Sequence, residues 1–369
     1  MLQTLSTPHG TLQLPAFLPD ATRGVIRAVD GADLVACGIQ GVMVNAFHLR
    51  SRPGVRLIAE QGGIHRFMNW DRPVAADSGG FQAYSLLSDS PKLGSVTDKG
   101  FAYRLQTGGK RIVLTPEKCI RTQFRLDADL LFCLDHCTHP DAPPDTQRRS
   151  VEQTVAWARE CRDTYDEVVE QKALPPERRP LLLAVIQGGA DPNLRRECAE
   201  RLLEIGFDGY GYGGWPITDD GQLAESVAQV AELTPADRPR FALGIGKPEN
   251  LVAAARLGYH LFDCVIPTRD ARHKRLYAFD RPPERSPLSG ADFYHCLYLQ
   301  DDVHARDQAP VEEGCDCRCC QGYSRAYLHH LFAIRDGLAD RLATLHNLRF
   351  YRRLVAALTS AGDQGQAMT

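Results

Sequence analysis

Short apolar runs rich in β-branched residues alternate along the chain with longer stretches in which apolar positions recur every three to four residues. The short runs predict eight strands, Leu14–Leu18, Gly41–Asn45, Pro73–Asp77, Leu130–Asp135, Leu182–Gln187, Gly209–Gly213, Phe241–Gly244 and Leu261–Ile266. The longer stretches, among them Val151–Val169, Asn193–Ile205, Asp220–Leu233 and Pro248–Leu257, predict amphipathic helices. Strands that are apolar on both faces and separated by helices imply a parallel sheet covered on both sides. Eight such units in about 270 residues match an α/β architecture of the (β/α)8 barrel type, typically ~250 residues long. A doubly wound open sheet is the competing architecture, but no Gly-x-Gly-x-x-Gly follows an early strand.

In a barrel the chemistry sits where strands end. Asn45, Asp77, Asp135, Gln187, Gly213–Gly214 and Asp263 all fall at or near predicted strand C-termini, so one barrel mouth gathers them. Two segments break the alternation. Ser85–Gly109 predicts a hairpin-bearing insertion over the mouth, and Arg281–Ala309, rich in proline at its start, leads to a cysteine cluster and a long helical tail, Tyr323–Leu358. The chain therefore divides into a barrel over 1–280 and a C-terminal subdomain over 281–369, with a frayed last stretch.

Composition and charge narrow the function. The 369 residues are 43% hydrophobic and 24% charged, which excludes disordered and fibrous classes. The 43 Lys and Arg against 46 Asp and Glu give a net charge of −3, so no global field draws in a polyanion and any nucleic-acid site must be a local basic patch. No apolar run approaches the ~20 residues needed to span a bilayer. The opening MLQTLSTPHG lacks a secretory pattern, and a cytoplasmic location is expected.

Four of the 12 cysteines crowd into Cys315–Cys320, with His346 downstream. Three thiolates and an imidazole satisfy tetrahedral zinc with no open position, a structural site. The spacing favours Cys315, Cys317 and Cys320 over Cys319; buried free cysteines are the bland alternative. Asp77-Ser-Gly-Gly-Phe-Gln82 delivers a carboxylate into a glycine turn, where capping the next helix is the competing role. Asp263 is embedded in an apolar strand and needs a partner or a task, an arginine ion pair being the alternative. Two carboxylates facing one cleft are what cleavage of a glycosidic bond requires. Asp135 and Gln187 together offer the donors and acceptors that a planar polar base would pair with.

The strings DSGGFQ, LTPEK, FCLDHCT, IQGG, GFDGYGYGG, GIGKPENL, FDCVIPTR and CDCRCCQGYSRAYLHHL, in this order from about Gly10 to about Leu358, resemble the queuine/tRNA-guanine transglycosylase family. The resemblance implies a TIM barrel with a zinc-binding subdomain, exchanging a guanine of tRNA, at the wobble position, for a 7-deazaguanine. It implies Asp263 as the nucleophile that forms a ribosyl ester and Asp77 as the general acid/base. Asp135, Gln187 and the N–H of Gly214 would read the base, with Phe81 stacking on it and Leu243 packing behind. Asn45 and His48 could orient the carboxylates. Arg269, Arg272, His273, Lys274 and Arg275 form a basic run directly after the last strand and would grip RNA phosphates. Cys315, Cys317, Cys320 and His346 would hold a structural Zn2+, no redox or nucleotide cofactor is needed, and a homodimer is implied.

The chain departs from that pattern after Gly214. Trp215-Pro216-Ile217 stands where bacterial members of the family carry Leu-Ala-Val, and Tyr323 stands where they carry Trp. Tyr327 and His330 fit the pattern. The first change leaves open which 7-deazaguanine is taken. Competing readings are the same exchange on DNA or at another tRNA position, and a non-catalytic RNA-binding partner subunit. The absence of extra domains after Thr369 speaks against the archaeal type, and retention of Asp77, Asp135 and Asp263 speaks against the partner subunit.

Overall fold

A computed structural model describes residues 2–285, 288 and 292–366. Eight parallel strands form one sheet: β1 (Ala16–Pro19), β2 (Val42–Asn45), β3 (Val74–Asp77), β4 (Leu130–Phe132), β5 (Leu181–Ile186), β6 (Gly209–Tyr212), β7 (Arg240–Ala242) and β8 (Leu261–Cys264). They are ordered β1-β8-β7-β6-β5-β4-β3-β2. The β1–β2 seam is closed by a parallel bridge between Asp20 and Met43, supported by bonds from Ala21 N–H to Met43 O (2.7 Å) and Asn45 N–H to Thr22 O (3.2 Å). Helices clothe the outside, giving a (β/α)8 barrel as the alternation predicts.

The barrel interior explains why the mouth is polar. Ala16, Leu18, Met43, Ala75, Leu130, Phe132, Leu183, Val185, Phe241 and Leu261 form one buried cluster inside the sheet. Side chains alternate along a strand, so residues two further on point the same way. That step carries Leu18 to Asp20, Met43 to Asn45, Ala75 to Asp77, Val185 to Gln187, Phe241 to Leu243 and Leu261 to Asp263. The polar layer therefore lies directly on top of the apolar one. The opposite end is plugged by Leu5 and Leu12 of the hairpin Thr4–Thr7/Gly10–Gln13, whose turn residue His9 stacks on His65 at 3.7 Å while both imidazoles meet the buried Asp129 carboxylate.

Several predicted boundaries shift for local reasons. The β8 strand stops at Cys264 because Pro267 sits in the first turn of the helix Ile266–Arg272. The helix predicted from Asp220 begins at Glu225. Gly221 adopts a left-handed φ of 83°, and Thr218 O accepts from its N–H, so residues 215–224 form a turn-bearing loop. The insertion is a three-stranded antiparallel sheet, Gly94–Thr97, Gly100–Tyr103 and Ile112–Leu114, reaching beyond the predicted Gly109. It is pinned by the Trp157 indole N–H donating to Asp98 O (2.7 Å). The predicted tail, Tyr323–Leu358, is two helices, Arg325–Ala333 and Gly337–Gln366, interrupted where Arg335 takes a φ of 58°, and a short helix, Arg318–Gly322, precedes it in the cysteine cluster. Residues 286, 287 and 289–291 of the predicted Arg281–Ala309 stretch, and 367–369 of the predicted frayed end, lie outside the described residues.

Candidate active site

Every strand delivers a group to the mouth. Asp20 follows β1, Asn45 and Asp77 end β2 and β3, Asp135 lies beyond β4, Gln187 follows β5, Gly213 and Gly214 follow β6, Leu243 and Gly244 follow β7, and Asp263 sits near the end of β8. In the parallel register Asn45 stands opposite Asp77. Its amide N–H donates to Asp77 Oδ2 at 2.7 Å while its Oδ1 accepts the His48 backbone N–H at 3.2 Å. One side chain thus caps the helix Ala46–Ser51 and orients the carboxylate. His48 itself bonds to neither Asp77 nor Asp263; it lies in the field of Arg23 and Asp20.

Asp77 leads into a glycine turn because nothing else fits there. Gly79 has a φ of 81°, and a Cβ on it would lie 2.9 Å from the Phe47 Cβ. The turn aims the Gly79 N–H at Asp77 Oδ1 (3.4 Å) and starts the helix Gly80–Asp89, which presents Phe81, 44% exposed, at the rim. The Asp263 carboxylate accepts the Gly244 N–H at 3.1 Å. Asp135 Oδ2 accepts the Gln187 amide N–H at 2.7 Å, so the two proposed base-reading groups are already paired with each other. The Cys137 thiol lies against the Gly214 N–H and the Gln187 amide.

Crowding carboxylates into one half-buried mouth shifts their protonation. Burial pushes Asp77 up, against opposing bonds from Gly79 and Gln82 and with Asp20 adding to the rise. Burial, then the charge of Asp77, pushes Asp135 up to about 7. Burial also holds Asp263 at about 7, with the charges of Asp77 and Asp20 adding to it. Groups that can hold or release a proton near neutrality are what acid/base work at a glycosidic bond uses.

Asp20 was missed by the sequence reading, although it carries the same signal as the others, a carboxylate at the end of an apolar run. An aromatic rim was missed as well. Trp215 packs against Phe81 (centroids 5.6 Å), His139 (5.5 Å) and Tyr84 (6.3 Å), which no single-sequence pattern brings together.

The basic run divides. Arg269 and His273 are exposed on and just after the helix Ile266–Arg272, and Arg272 and Lys274 are half-buried beside them. Arg275 starts the strand Arg275–Phe279, its half-exposed guanidinium 3.6 Å from Asp270, which Arg269 meets at 3.7 Å, and over the Tyr277 and Tyr298 rings.

Away from the mouth, Cys315, Cys317, Cys320 and His346 bring their ligand atoms within 4.8 Å of one another. Tetrahedral zinc with Zn–S ~2.3 Å and Zn–N ~2.0–2.1 Å sets sulfur and nitrogen ~3.6 Å apart. The three Sγ atoms lie 3.9, 3.6 and 3.2 Å from His346 Nδ1, so the donor set fits such an ion. His346 Nε2 donates to Tyr277 O at 2.6 Å, which leaves Nδ1 as the free lone pair. Cys319 is buried in the same apolar cluster as Cys315 and Cys317 but is not one of the four residues whose ligand atoms converge, in line with the spacing.

A family model described as Queuine tRNA-ribosyltransferase matches residues 2–367. Curated relatives of that name include those of Psychrobacter sp. (strain PRwf-1), 36% identical over 98% of this chain and 89% of its own, and Aromatoleum aromaticum, 37% over 97% and 90%. The one from Caldanaerobacter subterraneus subsp. tengcongensis is 37% identical over 100% of this chain and 91% of its own. With a match this complete, on a barrel whose mouth collects carboxylates at its strand ends, the chain belongs to the queuine tRNA-ribosyltransferase family of pentosyl-transferring enzymes.

Proposed function

We propose that the protein exchanges a guanine of tRNA, at the wobble position, for a 7-deazaguanine through a covalent ribosyl-Asp263 intermediate. The observation that carries this reading is the pairing of Asp77 and Asp263 across one mouth, each held up in pKa by burial. The Asp263 carboxylate forms a bond to C1′ of the ribose as the C1′–N9 bond breaks, and the departing guanine nitrogen takes a proton from Asp77. In the return step Asp77, now a carboxylate, removes the N–H proton of the incoming five-membered ring. That nitrogen attacks C1′ and releases Asp263, so two displacements restore the starting configuration.

Asp135, Gln187 and the Gly214 N–H read the base edge, Phe81 stacks on its face and Leu243 backs it. Binding a base between Asp135 and Gln187 replaces their mutual bond with bonds to the ligand. The barrel over 1–280 acts as the catalytic unit. Arg269, Arg272, Lys274 and Arg275, which follow the nucleophile closely in the chain, grip RNA phosphates, Arg275 from its place against Asp270 and the tyrosine rings. Cys315, Cys317, Cys320 and His346 hold a structural Zn2+ that ties the cysteine loop to the last helix within the 281–369 subdomain and takes no part in the chemistry. A homodimer uses the surface bearing Tyr323, stacked on Tyr327 at 5.4 Å, and His330. Among the described residues no helix is long and apolar enough to cross a membrane. A tRNA substrate assigns the enzyme to the cytoplasm.

The test incubates the full chain with labelled guanine and either unmodified tRNA or duplex DNA. Label in tRNA that disappears with Asp263→Asn is the expected result. Label in DNA alone moves the target, and normal turnover by Asp263→Asn removes the nucleophile from this scheme.

A further inference from the structure

Arg195 lies on the helix Pro192–Ile205 that follows β5 and is 1% exposed. Burying a guanidinium is expensive unless its donors are satisfied. Its hydrogen-bond partners are three carbonyls and a hydroxyl, with no carboxylate among them. Nε donates to Gly189 O (2.9 Å), Nη1 donates to both Ile186 O and Gly213 O (2.7 Å each), and Nη2 donates to the Tyr212 hydroxyl (3.1 Å). The same hydroxyl reaches Trp215 O at 3.2 Å and Ser226 Oγ at 2.8 Å. The cation also sits 4.5 Å over the Tyr212 ring.

These acceptors lie at the C-terminal ends of β5 and β6 (Ile186 and Tyr212) and in the loops that follow them (Gly189 and Gly213). The first loop, Gln187–Gly189, carries Gln187; the second, Gly213–Trp215, carries Gly214. The β5–β6 ladder ends at the pair Ile186–Tyr212. Beyond it the planar fork of Arg195 spans the gap, and the chain at Gly214 passes so close that a Cβ there would lie 3.2 Å from Nη2. Lysine could not substitute, because its ammonium is a point donor without the fork that reaches both loops at once.

We propose that Arg195 is a positioning residue for base recognition: it fixes the spacing between the Gln187 amide and the Gly214 N–H, and through Tyr212 the placement of Trp215, so that a guanine-like base meets both loops in one geometry. The proposal rests on the base-exchange reading, and it is tested by binding, separately from turnover. Calorimetric titration of the full chain with guanine, and separately with unmodified tRNA, is done on wild type, Arg195→Lys, Arg195→Met and Tyr212→Phe, with folding checked by thermal unfolding. Misplacing a recognition group by a fraction of an ångström should raise the guanine Kd about ten-fold or more in both Arg195 variants and a few-fold in Tyr212→Phe, with the tRNA Kd held within about two-fold. If Arg195→Met does not fold, the Lys and Phe variants carry the reading. A folded Arg195→Lys with unchanged guanine affinity, or guanine and tRNA weakened in equal proportion, overturns the proposal. Arg195-dependent guanine binding in a protein that transfers none into tRNA would remove the exchange reading and keep this one; a wild type that binds no guanine removes both.

Discussion

Replacing Asp263 by Asn should abolish exchange and, in the base-free protein, raise stability at neutral and alkaline pH. Burial holds the Asp263 carboxyl at about 7, against an ordinary value of 3.8. The folded state therefore favours the protonated acid. That favourable contribution is fully present below pH 3.8, declines as the pH rises, and is lost once the pH passes about 7. A displacement of this size, at ~1.4 kcal/mol per pH unit, sets an upper bound of ~4 kcal/mol. The carboxyl is half-buried at an open mouth, so water screens part of it and ~2 kcal/mol is the working figure. Asn keeps the volume and the acceptor for the Gly244 N–H while removing the charge. For a chain of this length ~2 kcal/mol corresponds to a Tm rise of about 2–3 °C. Differential scanning calorimetry of wild type and Asp263→Asn, without substrate, between about pH 4.5 and 8.5 makes the comparison. The difference should be small at the acid end, grow through the neutral range and level off above pH ~7. An Asp263→Asn protein less stable than wild type at pH ~8, or a difference that ignores pH, would refute the reasoning. The expected trade, stability given up at a site that needs crowded charge, is common in enzymes.

Three further outcomes are expected. Cys317→Ser should lower the zinc content measured by mass spectrometry and drop the Tm by roughly 5 °C or more, since it removes a ligand that also caps the helix Arg318–Gly322; unchanged metal content would refute that ligand set. Gly213→Ala would place a Cβ 2.5 Å from Gln187 Nε2 and 2.7 Å from Val185 Cγ1, so Gln187 must swing away from Asp135. The KM for guanine should rise about ten-fold, and an unchanged KM would show that Gln187 does not read the base. Trp215→Leu removes the indole that closes the rim with Phe81, Tyr84 and His139, and should raise kcat/KM for a 7-deazaguanine with a side arm relative to guanine; an unchanged ratio would free Trp215 from base selection.

The amino-acid sequence by itself determines the barrel. Apolar runs of strand length alternating with helical periodicity admit few other architectures, and several of the runs carry at or near their ends a polar residue that the next step of the pleat turns toward the mouth. Asp77, Gln187 and Asp263 are legible for that reason, Asp135 is legible as the carboxylate that closes its apolar run, and the cysteine cluster is legible because its donors are close in sequence. His346 is legible through the family resemblance. Tertiary structure decided what depends on neighbours from distant strands. It brought Asp20 into the field of Asp77 and Asp263, made Asn45 the residue that holds Asp77, paired Asp135 with Gln187, and set Arg275 over the Tyr277 and Tyr298 rings. It also gave Arg195, an unremarked residue on an amphipathic helix, four acceptors at the ends of two neighbouring strands and in the loops after them. Local propensity and periodicity act over a few residues and can be read along the chain. Hydrogen-bond partners, shared burial and the charge a carboxylate feels come from residues tens to hundreds of positions away, and only the closed barrel sets those distances.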